Sequence, residues 1–212
     1  MCSFICYTGS IMKILVFDTE TGGLNPYRND ILQLSFQVID GDTFHTLLDA
    51  NYYFPWPEDK RRVEWGAIQV NGLTEEFLAT QDVYDRYEVL NYFIDELIDC
   101  DLCVAHNGEF DKSFIDATAR REGIYPIDWP PMIDTMKTTT NLCQLPARGG
   151  RCGYKWPKLI ELAEFLRIKT DDINLHDSSA DVELTKRCFL YLLEKKFYKL
   201  YYFLFSTKRD SI

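Results

Sequence analysis

No stretch of this chain is apolar for long enough to cross a bilayer, and no basic n-region with a small-residue cleavage site opens it. No membrane partner is expected. A cysteine framework is missing too: Cys2, Cys6, Cys100, Cys103, Cys143, Cys152 and Cys188 are odd in number and irregular in spacing. Free thiols in a reducing cytosol are the plain reading, so a cytoplasmic setting is expected. Cys100-x-x-Cys103 is a close pair, but a zinc ribbon needs a second one, and Cys143 and Cys152 are too far apart to supply it. Positive charge is scarce, with 23 Lys and Arg against 33 Asp and Glu and a net charge of −10. That argues against a broad electrostatic nucleic-acid binder, whose surface is basic. It leaves room for a phosphodiester enzyme that cancels its acidic charge locally with divalent cations. Repeats and low-complexity linkers are also absent, and 212 residues fit one well-cored domain.

Thirteen Tyr, fourteen Phe and four Trp are present in their place. Rings fill cores first, and they also stack on bases. The most informative stretch is Lys13-Ile14-Leu15-Val16-Phe17-Asp18-Thr19-Glu20-Thr21-Gly22-Gly23-Leu24. A buried strand runs into two carboxylates. Side chains alternate along a strand, so Asp18 and Glu20 share one face, and two neighbouring anions repel unless a proton or cation lies between them. A hard divalent cation takes oxygen ligands and fits such a pair.

The periodicities that follow predict a strand over residues 30–40 and a second over 43–54, forming an antiparallel hairpin beside the first strand. Pro55-Trp56-Pro57 ends it. A short helical stretch over 63–69 and a turn over 70–74 come next. Helical spacing recurs over 82–99, a short buried strand over 102–105, a helix over 110–122 and a last strand over 132–135. Residues 143–155 read as a loop carrying Arg148, Arg151 and Lys155, which either tracks a phosphate backbone or is a solvated face. Pro157 opens a helix reaching Leu166, and a final helix runs over 178–194. Three strands followed by helix–strand alternation indicate an α/β domain with a mixed sheet. Residues 197–205 are nearly all aromatic and apolar, either a last core layer or a partner-binding patch.

Two further acidic segments answer Asp18 and Glu20. In Ala105-His106-Asn107-Gly108-Glu109-Phe110-Asp111 a strand ends, a polar turn follows and Asp111 enters a helix. The carboxyl ends of strands are where sites form in open α/β sheets. In His176-Asp177-Ser178-Ser179-Ala180-Asp181, Ser178 reads as an N-cap with Asp181 as the acid of a capping box, or Asp181 is a metal ligand with His176 near the water it activates.

Together these motifs resemble the DEDD exonuclease superfamily, in the branch with histidine in the last motif, which includes polymerase III epsilon-type proofreading exonucleases. Residues 17–24, 105–111 and 176–181 are similar to its three motifs, and Val70-Asn71-Gly72-Leu73-Thr74 to a frequent intervening segment. The resemblance implies an RNase H-like fold, a five-stranded mixed β-sheet flanked by α-helices. The chain is expected to divide into residues 1–12 as an N-terminal extension, 13–205 as a single exonuclease domain and 206–212 as a tail, with the resemblance running from about Ile14 to Leu193. The resemblance also implies 3′→5′ exonuclease chemistry with two divalent cations, Mg²⁺ or Mn²⁺, releasing nucleoside 5′-monophosphates. Asp18, Glu20 and Asp181 would bind one cation, Asp18 would bridge to the second with support from Asp111, and His176 would be the general base. Thr21 and Leu24 would line the 3′-terminal nucleotide, and the Thr19-to-Gly22 backbone would hold its 3′-oxygen. Asn107 would contact the sugar-phosphate. From the residues alone, Leu24 also reads as core and Asn107 as a helix cap, and Phe110 and Phe114 read as core. Single-stranded DNA 3′ ends are the expected partner, RNA the alternative, and a non-catalytic nucleic-acid-binding module the remaining one. A homodimer or a polymerase association is compatible with the chain, whose short tail favours a stand-alone nuclease.

Overall fold

The structure, a computed structural model, describes residues 11–147, 152–171 and 177–195. Residues 1–10 of the expected extension, Arg148, Arg151, His176, the 197–205 segment and the 206–212 tail lie outside the described residues. Met12, assigned above to the extension, is buried in the core, and its carbonyl accepts from the Gly41 amide at 2.7 Å.

Five strands form one mixed sheet: β1 (Lys13–Thr21), β2 (Ile31–Asp40), β3 (Thr46–Tyr53), β4 (Leu102–Ala105) and β5 (Met132–Asp134), in the order β3-β2-β1-β4-β5. β2 is antiparallel to β1 and β3, while β4 and β5 continue the sheet in parallel. This is the five-stranded mixed sheet that the resemblance implies. β1 is central, and alternation sorts its side chains between two cores. Leu15 and Phe17 face a core with Phe36, Phe93 and Phe114. Ile14 and Val16 face another with Val182 and Phe189. In the first core Phe93 stacks edge-on against Phe36 at 5.2 Å and Phe17 at 5.9 Å.

The helices are α1 (Trp65–Asn71), α2 (Glu75–Leu78), α3 (Arg86–Ile98), α4 (Gly108–Glu122), α5 (Thr135–Cys143), α6 (Leu159–Leu166) and α7 (Ser178–Glu194). α3 and α4 supply the first core, and α7 covers the other face of the sheet. Several bounds differ from the sequence reading for local reasons. α3 begins only after Asp85, whose side chain caps the Glu88 amide at 3.1 Å; Val83 instead bridges to Tyr53 of β3. Lys158 rather than Pro157 caps α6. Residues 135–143 form a helix that the periodicity does not predict. Its threonines, poor helix formers in isolation, donate their hydroxyls one turn back, Thr138 to the Asp134 carbonyl, Thr139 to Thr135 and Thr140 to Met136, at 2.7–2.8 Å.

The alternating strand at residues 31–40 is buried on both faces. Its polar face is a seat for α7. Ser35 Oγ lies 2.6 Å from Ser178 Oγ, and Gln33 donates to Asp177 Oδ1 at 3.1 Å while accepting from the Ser178 amide at 3.3 Å. Buried polar groups need partners, so these contacts fix where α7 starts. The N-cap is Asp177, which accepts from the Ser179 amide, and not Ser178, which is the first helical residue. Asp181 is thereby out of capping-box register.

Candidate active site

The alternation that sorts the core also builds the site. Past Val16, the α7 side of β1 continues as Asp18 and Glu20, and the polar seat on β2 brings Asp181 of α7 across from them. Carboxylate oxygens of Asp18, Glu20 and Asp181 all lie within 4.8 Å of one another. Asp111 comes from α4 on the opposite side and is buried. Its Oδ1 accepts from the Thr19 amide at 3.1 Å and the Thr19 hydroxyl at 2.7 Å, leaving Oδ2 to offer. The structure therefore brings together all four predicted carboxylates, three in a tight group and Asp111 hooked to the strand between the first two.

The electrostatics of this group are unfavourable without a cation. Burial, then repulsion from Asp111, Asp181 and Glu20, holds the Asp18 carboxyl well above its ordinary range. Burial and Asp181 push Glu20 up to about 8, opposed by a hydrogen bond from Asn71. Burial raises Asp111 to about 7 despite its two bonds from Thr19. Three oxygen donors at this spacing, with Asp18 and Glu20 destabilised as anions, are a donor set that a hard divalent cation relieves.

A cavity of about 420 Å³ opens beside the carboxylates, lined by Thr21, Leu24, Glu64, Ala67, Asn71 and Phe110 among others. Leu24 is 82% exposed, so it is not core. Phe114 is buried as expected, whereas Phe110, stacked on it at 4.9 Å, also forms cavity wall. The turn under the cavity is tightly built. A Cβ on Gly22 would lie 2.7 Å from the Arg62 carbonyl oxygen, and one on Gly23 would meet Asn29 at 2.4 Å, so neither position admits a side chain without movement. The Gly22 amide donates to the Asp30 carbonyl at 2.8 Å. With the Thr19 amide held by Asp111, both of these amides have protein partners. Thr21 turns its hydroxyl onto the Gly23 carbonyl at 2.7 Å.

Asn107 occupies the N-cap position of α4 but makes no side-chain capping bond, so the cap reading fails. Its φ of 71° is a left-handed conformation that Asn tolerates. The Asn107 amide is anchored on Asp134 Oδ1 at 3.1 Å, and the same oxygen caps α5 through the Lys137 amide at 3.2 Å. His106 beside it is tied into the scaffold through Thr135 and the Pro157 carbonyl, at 2.9 and 3.0 Å. Lys155 pairs with Glu161. Cys100 and Cys103 are buried and free, and burial pushes both thiols up to about 12.

The sequence reading missed Asn71, which donates to the Thr21 carbonyl at 3.2 Å and supports Glu20. It also missed Gln33, Ser35 and Asp134. Asn71 lies in a segment already matched to the family, a signal that was available; the others carry none.

A family model described as Exonuclease (RNase T) matches residues 15–189. Among curated proteins, the chain is 30% identical over 194 residues to the DNA polymerase III PolC-type of Lacticaseibacillus paracasei, covering 89% of this chain and 12% of that protein. It is 26% identical over 184 residues to the 3′-5′ exonuclease DinG of Bacillus subtilis, covering 86% and 18%. The chain thus spans less than a fifth of the length of these relatives. Among solved structures, E. coli Exonuclease I in complex with a dT13 oligonucleotide superposes with a TM-score of 0.72 at 19% identity, over 92% of this chain and 43% of that one. Exonuclease I from Methylocaldum szegediense gives 0.71 at 18%, over 92% and 43%. No described helix is long and apolar enough to cross a membrane. With a family match that runs from β1 into α7 and takes in Asp18, Glu20, Asp111 and Asp181, this chain belongs to the exonuclease family.

Proposed function

We propose that this chain hydrolyses the last phosphodiester at the 3′ end of a single DNA strand, releasing a nucleoside 5′-monophosphate. The observation that carries this reading is the grouping of Asp18, Glu20 and Asp181 within 4.8 Å, beside a nucleotide-sized cavity. Asp18, Glu20 and Asp181 would hold one Mg²⁺ or Mn²⁺, with Asp18 shared towards a second that Asp111 supports. A bound cation supplies positive charge to the phosphoryl oxygens and eases ionisation of the attacking water.

The remaining roles fall to the chain itself. Water attacks phosphorus in line, His176 takes the proton from the water, and the bond from phosphorus to the 3′-oxygen of the preceding nucleotide breaks, that oxygen taking a proton from solvent to leave as the new 3′-hydroxyl. Leu24 and Phe110, both lining the cavity, flank the terminal base. Thr21 shapes its floor. Asn107, with its side chain uncommitted to a cap, contacts the sugar-phosphate. The polymerase and DinG relatives, and the Exonuclease I structures with bound oligodeoxynucleotide, support DNA as the polymer and an association with replication or repair machinery.

Incubation of matched 5′-labelled DNA and RNA oligonucleotides with Mg²⁺ or Mn²⁺ tests this. A ladder shortening from the 3′ end of the DNA is the expected result. No cleavage with either metal would overturn the enzyme reading, and preferential cleavage of the RNA would overturn the choice of DNA.

A further inference from the structure

A second cavity, of about 550 Å³, adjoins the one beside the carboxylates and shares Glu64 with it. Tyr27, Arg28, Asp59, Arg61 and Arg62 complete its lining. Three arginines line this one cavity, beside two acidic residues, in a chain of net charge −10. Behind the wall lie Arg62, Arg86 and Arg121, with Asp30, Asp85 and Glu122 near them. Asp30 is buried, and its Oδ1 accepts from Arg62 Nε at 2.6 Å and Arg121 Nη2 at 3.0 Å, with Arg86 Nη2 3.8 Å from Oδ2. One carboxylate thus faces three guanidiniums. Arg62 Nη2 is buried without a hydrogen-bond partner, which an uncompensated donor in a protein interior rarely is. Arg28 is exposed and makes no ion pair among the described residues. Arg61 is held by Asp59 through two guanidinium nitrogens, Nε to Oδ1 at 2.8 Å and Nη2 to Oδ2 at 2.9 Å, and its side chain is 90% exposed to solvent.

The cavity is rigidly tied to the site. The Arg62 carbonyl accepts from the Asp30 amide at 3.3 Å, and the Glu64 amide donates to the Gly22 carbonyl at 2.6 Å, so both cavities are built on one turn. Guanidinium forks match phosphate oxygens, and contacts to phosphate position a strand without reading its bases.

We propose that the cavity lined by Arg28, Arg61 and Arg62 is a phosphate subsite that takes a backbone phosphodiester of the strand whose 3′ end occupies the neighbouring cavity. The proposal rests on the exonuclease reading and adds to it where the rest of the substrate lies. It makes the grip on the polymer local, in a protein whose overall charge repels it.

Two substrates separate the subsite from the catalytic centre: the p-nitrophenyl ester of thymidine 5′-monophosphate, which fills the terminal position alone, and a 5′-fluorescein-labelled oligothymidylate. In the Arg28→Ala/Arg61→Ala variant, kcat/KM on the oligonucleotide is expected to fall about tenfold, and on the ester less than twofold. The slope of log affinity against log salt should shrink by about 0.7, for one lost single-strand phosphate contact. Asp59→Asn, which frees Arg61, should move oligonucleotide cleavage the other way. An equal fall on both substrates, or no fall on either, overturns the subsite. If a bound phosphomonoester were the occupant, inorganic phosphate would inhibit ester hydrolysis less in the double variant than in the wild type, and the phosphodiester assignment would be overturned. A wild type that cleaves neither substrate overturns the exonuclease reading instead. Fluorescence anisotropy with the labelled oligonucleotide then decides the subsite, and equal affinity of wild type and double variant overturns it.

Discussion

Two half-buried charge clusters, one of carboxylates and one of arginines around a carboxylate, flank the same turn. On one side Asp18, Glu20 and Asp181 converge with Asp111 behind them, and no cation of the described protein pairs with Asp18, Glu20 or Asp111. On the other, Asp30 is surrounded by Arg62, Arg86 and Arg121. The Gly22 amide, bonded to the Asp30 carbonyl at 2.8 Å, joins the two. The arginine cluster is held together by its own carboxylate and serves as scaffold. The acidic cluster has hydrogen bonds from Thr19 and Asn71 but no cationic side chain on Asp18, Glu20 or Asp111 among the described residues, and burial raises the proton affinity of those three carboxylates. A protein tolerates such a group where something from outside completes it.

Breaking each cluster should therefore have opposite consequences. Asp18→Ala is expected to leave the fold intact and lower kcat by roughly 10³-fold or more, since several kcal/mol of transition-state charge stabilisation depend on the cation it helps to hold. Steady-state cleavage assays beside thermal unfolding check both halves. Asp30→Ala should do the reverse and destabilise the fold by about 3–5 kcal/mol, the cost of leaving buried charges without their partner. Urea unfolding measures it.

The clusters should also part in their response to pH. Glu20 rises from 4.5 to about 8 and Asp111 from 3.8 to about 7 in the cation-free fold. A raised carboxylate favours the folded state while protonated, so this stability is fully present below about pH 4 and is lost as pH rises through about 7–8. With a chelator, the melting temperature should fall between about pH 5 and pH 8; with saturating Mg²⁺ most of that fall should disappear. The smallest expected effect is that of Leu24→Ala, which removes an exposed wedge. It should raise KM about fivefold, for about 1 kcal/mol of lost contact, with little change in stability.

The acidic cluster was more legible in the sequence than the scaffold around it, and the reason is physical. Strand alternation alone places Asp18 and Glu20 on one face, and a helix entered just after β4 delivers Asp111. These are local rules. The seat that positions Asp181 is not local. Gln33, Ser35 and Gln37 read as the polar face of an ordinary half-exposed strand, yet they are buried and bond to residues over 140 positions away in α7. Helix α5 was illegible because its threonines satisfy their hydroxyls within the helix, against their intrinsic preference. Leu24 and Phe110 were ambiguous because an apolar side chain in a substrate cavity has the same composition signal as one in a core. His176, expected as the general base, lies outside the described residues, and its role rests on the motif it shares with Asp181.

The dependence of the site on an outside cation is tested most directly by calorimetric titration of metal-free protein with Mn²⁺ at about pH 7, in two buffers of different ionisation enthalpy. Saturable binding with release of about one proton or more per protein is predicted, because groups held near pH 7–8 must ionise to take the cation. The same titration of Asp18→Asn should lose most of the affinity. Absence of binding to the wild type, or binding that Asp18→Asn leaves unchanged, would contradict the assignment of these carboxylates as the cation site.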